Sequence, residues 1–218
     1  MNSKGEITPY ASWTGTRRNL DGLRAAGWRL LTGPHIMRGR REKLPKWTDG
    51  TIAPYALDNG AWTAHQQGTE FNSAAFEEAV SIAGGGADWI VAPDIVAGGL
   101  DSLLFTLEWL PRLEDYRVLI AVQDGMNEDH IRQHIGHRVG IFVGGSTDWK
   151  LDTMCKWGAL AKHLGAYLHI GRVNTVRRIR LCQKAGANSF DGTSATRFVC
   201  TLPRLDSARR QTTIWGLL

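Results

Sequence analysis

The chain has 218 residues, of which 43% are hydrophobic and 22% charged, and its formal net charge is +5. These values are ordinary for a globular protein with a sizeable core, and the length suits one large domain or two small ones. No apolar stretch approaches the roughly 20 residues that cross a bilayer, and the N-terminus lacks the apolar segment of a secretory signal. We therefore expect a cytoplasmic protein without a membrane partner.

Short apolar runs alternate with amphipathic segments along the whole chain. The predicted strands, in chain order, are residues 8–13, 28–32, 53–57, 88–92, 118–122, 140–143, 166–170 and 188–190. The predicted helices lie near residues 16–26, 72–84, 100–111, 127–136, 149–164 and 174–186. Strands that alternate with helices are typical of parallel βα units.

Eight such strands predict an α/β fold, a compact (β/α)8 TIM-type barrel in which residues 1–218 form a single domain. An open doubly wound sheet is the alternative, but no G-x-G-x-x-G motif follows an early strand. The stretch 34–52 is predicted to be a basic loop, and the segment 203–215 a closing helix. We expect no zinc subdomain.

The positive charge is clustered. The basic segments are "RRNLDGLR" (17–24), "RGRREKLPK" (38–46), "VRRIR" (176–180) and "RLDSARR" (204–210). Basic clusters suit a polyanionic partner, because counterion release from phosphates drives binding; a mildly basic surface without such a partner is the alternative. The cysteines Cys155, Cys182 and Cys200 form no C-x-x-C pair, so we predict neither a disulfide framework nor a cysteine zinc site, and expect buried thiols.

Polar or glycine residues follow six consecutive apolar runs. They are Asp58, Asp94, Gln123, Gly144 with Gly145, the group from His169 to Arg172, and Asp191. In a (β/α)8 barrel the carboxyl ends of the strands form the active site, so the pattern predicts one polar rim. A single aspartate near a glycine is by itself more typical of a turn. Three aspartates at matching positions favour a site.

The chemistry of such a rim is constrained by what the sequence lacks. It contains no HExxH motif, no P-loop and no G-x-S-x-G elbow. His130, His134 and His137 have a helical spacing that can bind a metal, but such a run is more typical of a solvated helix face. Carboxylate chemistry remains: two aspartates can break a glycosidic bond, one attacking the sugar and the other handling protons.

Five segments, in the correct order, resemble motifs of the tRNA-guanine transglycosylase superfamily. They are "LDNGAW", "APDIV", "AVQDG", "FVGGS" and the block "LHIGRVNTVRRIRLCQKAGANSFDGTSATR". The likeness runs from about Tyr55 to Arg197. Because the cysteine/histidine zinc motif of the tRNA enzymes is missing from the sequence, the chain resembles more narrowly the small, largely phage-encoded DpdA-type branch, which modifies DNA with deazapurines.

The resemblance implies a role for each matching residue. It puts Asp191 at the covalent nucleophile and Asp58 at the acid/base aspartate. It also implies base binding by a further set, namely Asp94, Gln123 and the backbone amides of Gly144 and Gly145. The implied enzyme is a glycosyltransferase (a pentosyltransferase) that flips guanine out of duplex DNA, cleaves its N-glycosidic bond and inserts a 7-deazaguanine (preQ0-like) base. That deazapurine is a co-substrate, and no metal or other cofactor is expected.

Other residues are predicted to contact the nucleic acid. The candidates for the DNA backbone are Arg38, Arg40, Arg41, Lys43, Arg172, Arg177 and Arg197. Trp62 and Trp149 flank the rim motifs and are candidates for stacking on the flipped base or its neighbour, with core packing as the alternative.

Three other functions stay open at this point. The same pocket can belong to a DNA glycosylase that excises a modified base and leaves an abasic site. The aspartates can be turn caps in a non-catalytic nucleic-acid-binding barrel. A small-molecule lyase barrel is the third alternative, in which the basic segments are incidental.

Overall fold

Eight parallel strands close into a barrel. In the computed structural model, which describes residues 6–14, 17–37 and 44–211, the strands pair in chain order and β8 pairs with β1. The strands are β1 (Thr8–Ser12), β2 (Arg29–Thr32), β3 (Tyr55–Leu57), β4 (Ala87–Val91), β5 (Val118–Val122), β6 (Val139–Val143), β7 (Leu168–Ile170) and β8 (Ser189–Gly192). The predicted (β/α)8 TIM-type barrel is confirmed, and each predicted strand lies within a few residues of its expected bounds.

Helices surround this barrel. Within the described part of the chain they are α1 (Leu20–Ala25), α2 (Pro34–Met37), α3 (Ala61–Gln66), α4 (Ser73–Ala83), α5 (Gly99–Trp109), α6 (Glu128–Ile131), α7 (Thr147–Leu164), α8 (Val176–Lys184), α9 (Ser194–Arg197) and α10 (Leu202–Arg210). Short 3-10 segments follow α4, α5 and α6 and precede α10. The sequence pattern did not predict α2, α3 and α9, which have only four to six residues each.

Side-chain caps begin the helices that lie next to the polar rim. The Ser146 side chain accepts a hydrogen bond from the Trp149 N–H at the start of α7. The Thr175 side chain accepts one from the Arg178 N–H at the start of α8. Such caps satisfy backbone donors that have no partner inside the helix. They therefore help to set where α7 and α8 begin after β6 and β7.

The core has two layers because strand residues alternate between the barrel interior and the surrounding helices. The interior cluster comprises Tyr10, Leu31, Ala56, Trp89, Val91, Leu119 and Ala121, with Phe142 and Tyr167 packed against it. A larger cluster, to which Leu57, Ile120 and Ile141 belong, lies between strands and helices. Burial on both faces explains why each strand reads as a short, continuous apolar run.

Three predicted helices are clearly shorter than expected, and the first of them, predicted over 16–26, covers only Leu20–Ala25. The closing helix ends at Arg210, since Gln211 leaves the helical conformation with ψ near 100°, and residues 212–218 lie outside the described residues. Arg209 and Arg210 both donate hydrogen bonds to the Ala26 carbonyl, which ties this end to the turn before β2. Over 127–136, α6 covers four residues and is followed by a 3-10 turn, because the chain then folds back so that Gly136 N–H bonds the Val139 carbonyl at 2.8 Å.

The predicted basic loop is only partly loop. Residues 34–37 form α2, and Lys46 and Ile52 form an isolated antiparallel bridge. Four of the predicted DNA contacts lie outside the described residues, namely Arg38, Arg40, Arg41 and Lys43.

The cysteines differ from expectation in their exposure. Cys182 is buried, but Cys155 and Cys200 are exposed, so the expectation of three buried thiols was wrong. Cys155 lies on α7, which buries its other face, and Cys200 lies on the short 3-10 segment before α10, which has no buried residue. Among the helices described, none combines the length and the apolar character that spanning a membrane requires.

Candidate active site

Alternation along the strands brings most of the rim residues to one end of the barrel interior. The next inward-facing positions beyond the interior cluster, at the carboxyl ends of their strands, are Asp58, Gln123, Gly144, Gly171 and Asp191. Asp94 lies in the loop that follows β4. Asp191 is 5% exposed, whereas Asp58 and Asp94 are half-buried. The mouth of the barrel therefore gathers three carboxyl groups that are far apart in the sequence.

The surroundings of Asp58 bring its pKa close to neutral pH. Its Oδ1 accepts a hydrogen bond from the Gly60 N–H at 3.0 Å. Burial raises the pKa of Asp58 to about 6, and the negative charges of Asp191 and Asp94 contribute to the rise. Asp58 therefore lies within electrostatic range of both other carboxyl groups. A carboxyl group that titrates in this range can serve as a general acid or a general base.

Asp94 is tied to the loop that carries Asp58 by Asn59, the residue that follows Asp58. The buried Asn59 donates one hydrogen bond to Asp94 Oδ1 and another to the Ala92 carbonyl, each at 2.7 Å. Its own Oδ1 accepts the Ala61 N–H at 2.8 Å. Burial also raises the pKa of Asp94 to about 6, although the Asn59 hydrogen bond opposes the rise. The Asn59 side chain, with both its nitrogen and its oxygen hydrogen-bonded, thus joins the loop after β3 to the loop after β4.

Asp191 has a different environment. Its Oδ1 accepts a hydrogen bond from the Arg172 backbone N–H at 3.2 Å and lies 3.0 Å from His169 Nε2. His169 is fully buried, and its Nδ1 lies 2.7 Å from Ser189 Oγ. The rim prediction included His169 but gave it no role. The signal that could have found it is one polar residue within the apolar run "AYLHI".

A buried lysine supports the loop after β7, which carries the Arg172 N–H that binds Asp191. Lys150 on α7 is 6% exposed and donates a hydrogen bond to the Gly171 carbonyl. Burial lowers the pKa of Lys150 to about 8, the charge of Arg172 adds to this fall, and the charge of Asp191 opposes it. Gly171 itself lies against Asp191: an added Cβ would sit 2.8 Å from the Phe142 ring and 3.4 Å from Asp191 Oδ1. Lys150 was not predicted, because a lysine within a helical pattern reads as a solvated residue.

Two predicted base-binding groups are already engaged within the protein. Gly144 N–H donates to the Val122 carbonyl at 2.9 Å, which continues the β5–β6 ladder, so this amide is not available to a base. Gln123 is 4% exposed and its Nε2 donates to the Ile95 carbonyl at 2.9 Å. Gly145 has a φ of +65°, and among the described residues its N–H has no acceptor. It remains the better candidate of the two glycine amides.

Arg172 reaches across the mouth of the barrel. It has a φ of +58°, a left-handed conformation that residues other than glycine seldom adopt. Its guanidinium donates to the Gly145 carbonyl and lies 4.5 Å from the centre of the Trp62 ring. Trp62 belongs to α3, beyond β3, which is diametrically opposite β7 in an eight-stranded barrel. The Arg172–Trp62 pair therefore spans the mouth that holds the carboxyl groups.

The remaining predicted contacts lie at the same end of the barrel. Trp62 is 41% exposed, whereas Trp149 is partly buried and packs against Trp157 at a ring distance of 6.1 Å. Trp149 therefore packs against the core, the alternative that the sequence left open, and its stacking on a base stays a prediction. Arg177 in the first turn of α8 and Arg197 at the end of α9 are exposed, so both are open to a phosphate backbone.

The histidine run has local partners. His130 Nδ1 accepts the Asn127 N–H at 3.1 Å and completes a capping box at the start of α6. His134 Nε2 lies 3.1 Å from Gln133 Nε2. No group of three or more His, Cys, Asp or Glu side chains within residues 6–14, 17–37 and 44–211 is arranged to hold a metal ion.

In comparisons with known proteins, no protein-family model matches the chain and no curated protein matches it. The likeness to the tRNA-guanine transglycosylase superfamily therefore depends on the five motifs, and the functions that it implies stay predictions.

Proposed function

We propose that this protein is a DNA base-modifying transglycosylase, which cleaves the N-glycosidic bond of a guanine in DNA and joins a 7-deazaguanine to the same sugar. The observation that carries the proposal is the presence of two unlike carboxyl groups at one mouth. One oxygen of Asp191 accepts the Arg172 N–H and lies 3.0 Å from His169 Nε2, whereas Asp58 has a pKa raised to about 6. A fixed carboxylate beside a proton-exchanging one is how retaining glycosidases divide their work.

In the first half-reaction the free oxygen of Asp191 attacks C1′ of the flipped nucleotide. The C1′–N9 bond breaks, its electron pair leaves with the guanine, and the protonated form of Asp58 supplies a proton to the departing base. The result is an ester between Asp191 and the sugar. The base must leave the duplex stack first, because the glycosidic bond cannot be reached inside it.

In the second half-reaction the incoming 7-deazaguanine loses its N9 proton to ionised Asp58. N9 then attacks C1′, the bond to Asp191 breaks, and the Asp191 carboxylate is restored. One base replaces another with no net proton uptake and no oxidant. A pKa of about 6 suits this alternation, because both forms of Asp58 are populated near neutral pH.

Recognition of the base is assigned to the other groups of the mouth. The half-buried Asp94 offers a carboxylate oxygen to base N–H groups, since Asn59 already holds its Oδ1. Trp62 is 41% exposed, and its ring suits stacking on a base in exchange for its contacts with Arg172 and His65. Three cationic residues suit the phosphates, namely Arg172, Arg177 and Arg197.

The test is incorporation of a labelled base. Duplex DNA is incubated with the protein and labelled 7-deazaguanine, and nucleosides are then analysed by mass spectrometry, with Asp191→Asn as the inactive control. Label that becomes covalently bound to DNA, together with release of guanine, supports the proposal. Alkali-labile strand breaks without incorporation show the DNA glycosylase alternative. DNA binding with no base loss favours a non-catalytic barrel, and neither binding nor base loss favours a small-molecule barrel.

A further inference from the structure

His169 lies in an apolar part of the barrel interior, where a polar ring requires partners. It is 0% exposed. Its ring stacks on Phe142 at 4.8 Å with an interplanar angle of 24° and lies 4.5 Å from the Trp89 ring. Both ring nitrogens are nevertheless used, one by Asp191 and the other by Ser189. Packing and hydrogen bonding together leave the ring a single orientation.

The partners also define the tautomer. Burial lowers the pKa of His169, so the ring is neutral at neutral pH and carries one N–H. An ionised carboxylate can only accept a hydrogen bond, so the N–H is assigned to Nε2, which faces Asp191. Nδ1 then accepts from the Ser189 hydroxyl at 2.7 Å. Such an orienting contact on the far nitrogen is the usual way in which a protein selects a histidine tautomer.

The consequence falls on Asp191. Its Oδ1 receives two donors, His169 Nε2–H and the Arg172 backbone N–H, and among the described residues Oδ2 receives none. We propose that His169 is a positioning residue that locks the Asp191 carboxylate so that Oδ2 points toward the sugar. This inference rests on the proposed function, because it deepens the role of the nucleophile in that reaction. His169 is sealed beneath the carboxylate, so it touches neither the base nor the sugar.

Positioning of this kind acts on the rate of the chemical step. A displacement of about 1 Å of a reacting group can cost on the order of 100-fold in rate. Without the Nε2–H donor, the Asp191 side chain keeps only the Arg172 N–H, and it can rotate its oxygens between bound and free positions. Binding of DNA uses other residues and is not expected to change.

A matched pair of variants separates the hydrogen bond from the packing. In His169→Gln the side-chain amide nitrogen reaches the position of Nε2, whereas in His169→Asn it reaches only the position of Nδ1, which faces Ser189. We expect His169→Gln to keep kcat for base exchange within about tenfold and His169→Asn to lose about 100-fold, with KM for DNA unchanged in both. A structural role alone would reduce both variants alike. Equal kcat values in the two variants would overturn the inference.

A measurement without turnover keeps this test separate from that of the proposed function. We expect 15N NMR of the His169 ring to show one neutral Nε2–H tautomer near pH 7, and Asp191→Ala to give a mixture of tautomers. A charged ring, or an Nδ1–H tautomer in the wild type, overturns the inference whether or not the protein is active. Wild-type protein that exchanges no base in any DNA overturns the proposed function, while the NMR result still decides the hydrogen bond.

Discussion

The two sides of the barrel mouth treat their carboxyl groups in opposite ways. On the β7–β8 side, Asp191 is held by a buried histidine and a backbone N–H, with the Lys150 cation close by. On the β3–β4 side, Asp58 and Asp94 are half-buried, and burial raises the pKa of each to about 6. One side fixes a carboxylate in place, and the other keeps carboxyl groups ready to exchange protons.

This contrast teaches how one barrel can assign different tasks to the same residue type. Both sides use aspartate, because the neighbouring groups set the pKa and the orientation of each carboxyl group. A buried donor and a nearby cation define the fixed side, whereas burial of Asp58 and Asp94, with repulsion of Asp58 by the neighbouring carboxylates, defines the other. Predictions that alter one side at a time therefore test whether the division is real.

The largest effect is expected from Asp191→Asn. An amide cannot form the ester with C1′, so base exchange should fall by a factor on the order of 10,000 or more. DNA binding and the unfolding temperature should stay close to those of the wild type, because asparagine keeps an oxygen for the His169 and Arg172 donors. Single-turnover incorporation of labelled 7-deazaguanine measures the effect.

Asp152→Asn is the matched control for this variant. Asp152 is an exposed aspartate on α7, away from the inward-facing positions, and its substitution should leave exchange unchanged. Normal exchange by Asp191→Asn would assign the nucleophile to another group and remove the functional meaning of the fixed side.

Asp58→Asn is expected to cost on the order of 100-fold to 10,000-fold in exchange, the usual range for loss of a general acid/base. The wild-type rate of the second half-reaction should rise with pH through about 6, because only ionised Asp58 can accept the N9 proton. Asparagine cannot titrate, so the variant should lose this rise. Pre-steady-state rates between pH 5 and pH 8 supply the comparison; a pH profile identical to the wild type would place the acid/base role on Asp94.

The fold was largely predictable from the sequence. Each strand is a short apolar run with a turn beyond it, and the alternation with helical patterns is enough to predict a (β/α)8 barrel. The helices that escaped prediction, α2, α3 and α9, are four to six residues long. Helices of this length owe their stability to tertiary packing rather than to their own sequence, so no local sequence pattern predicts them.

The geometry of the candidate site was predictable only in part. Asp58, Asp94 and Asp191 stand directly after apolar runs, where barrel geometry requires the site to be. Lys150 and His169 stand inside a helix and a strand, and their importance comes from contacts across the chain that no spacing reveals. The contact between Arg172 and Trp62 depends on barrel closure, which sets β7 opposite β3. The engaged amide of Gly144 likewise follows from the ladder with β5.

The raised pKa of Asp58 should also affect the free energy of unfolding. The folded state holds the Asp58 proton to a pH of about 6, compared with an ordinary value of 3.8, so between these values it binds more protons than the unfolded chain. The stability that this proton contributes is complete below about pH 4 and is lost as the pH rises through about 6. Since one pKa unit equals about 1.4 kcal/mol, and the half-buried group keeps some hydration, Asp58→Asn should be more stable at pH 7 by about 2 kcal/mol.

Urea unfolding at pH 4 and pH 7 checks this prediction. The gain in the free energy of unfolding should be present at pH 7 and small at pH 4, and Asp152→Asn should show no gain at either pH. A loss of stability at pH 7 would mean that burial does not penalise the ionised Asp58 carboxylate, and the contrast between the two sides would fail.

The smallest effect is expected where the two sides meet, at Arg172 and Trp62. The cation–π contact at this half-exposed position is worth about 0.5 to 1 kcal/mol, so Trp62→Ala should weaken DNA binding by about twofold to fivefold if the ring only supports Arg172. Stacking on a base is worth about 1 to 3 kcal/mol, so a loss well above tenfold would mean that the Trp62 ring contacts the nucleic acid directly.

Arg172→Ala removes a charge. It should reduce the slope of log K against log salt by about 0.9, which corresponds to one phosphate contact, whereas Trp62→Ala should leave that slope unchanged. Equal slopes in wild type and Arg172→Ala would confine Arg172 to bridging the two sides of the mouth.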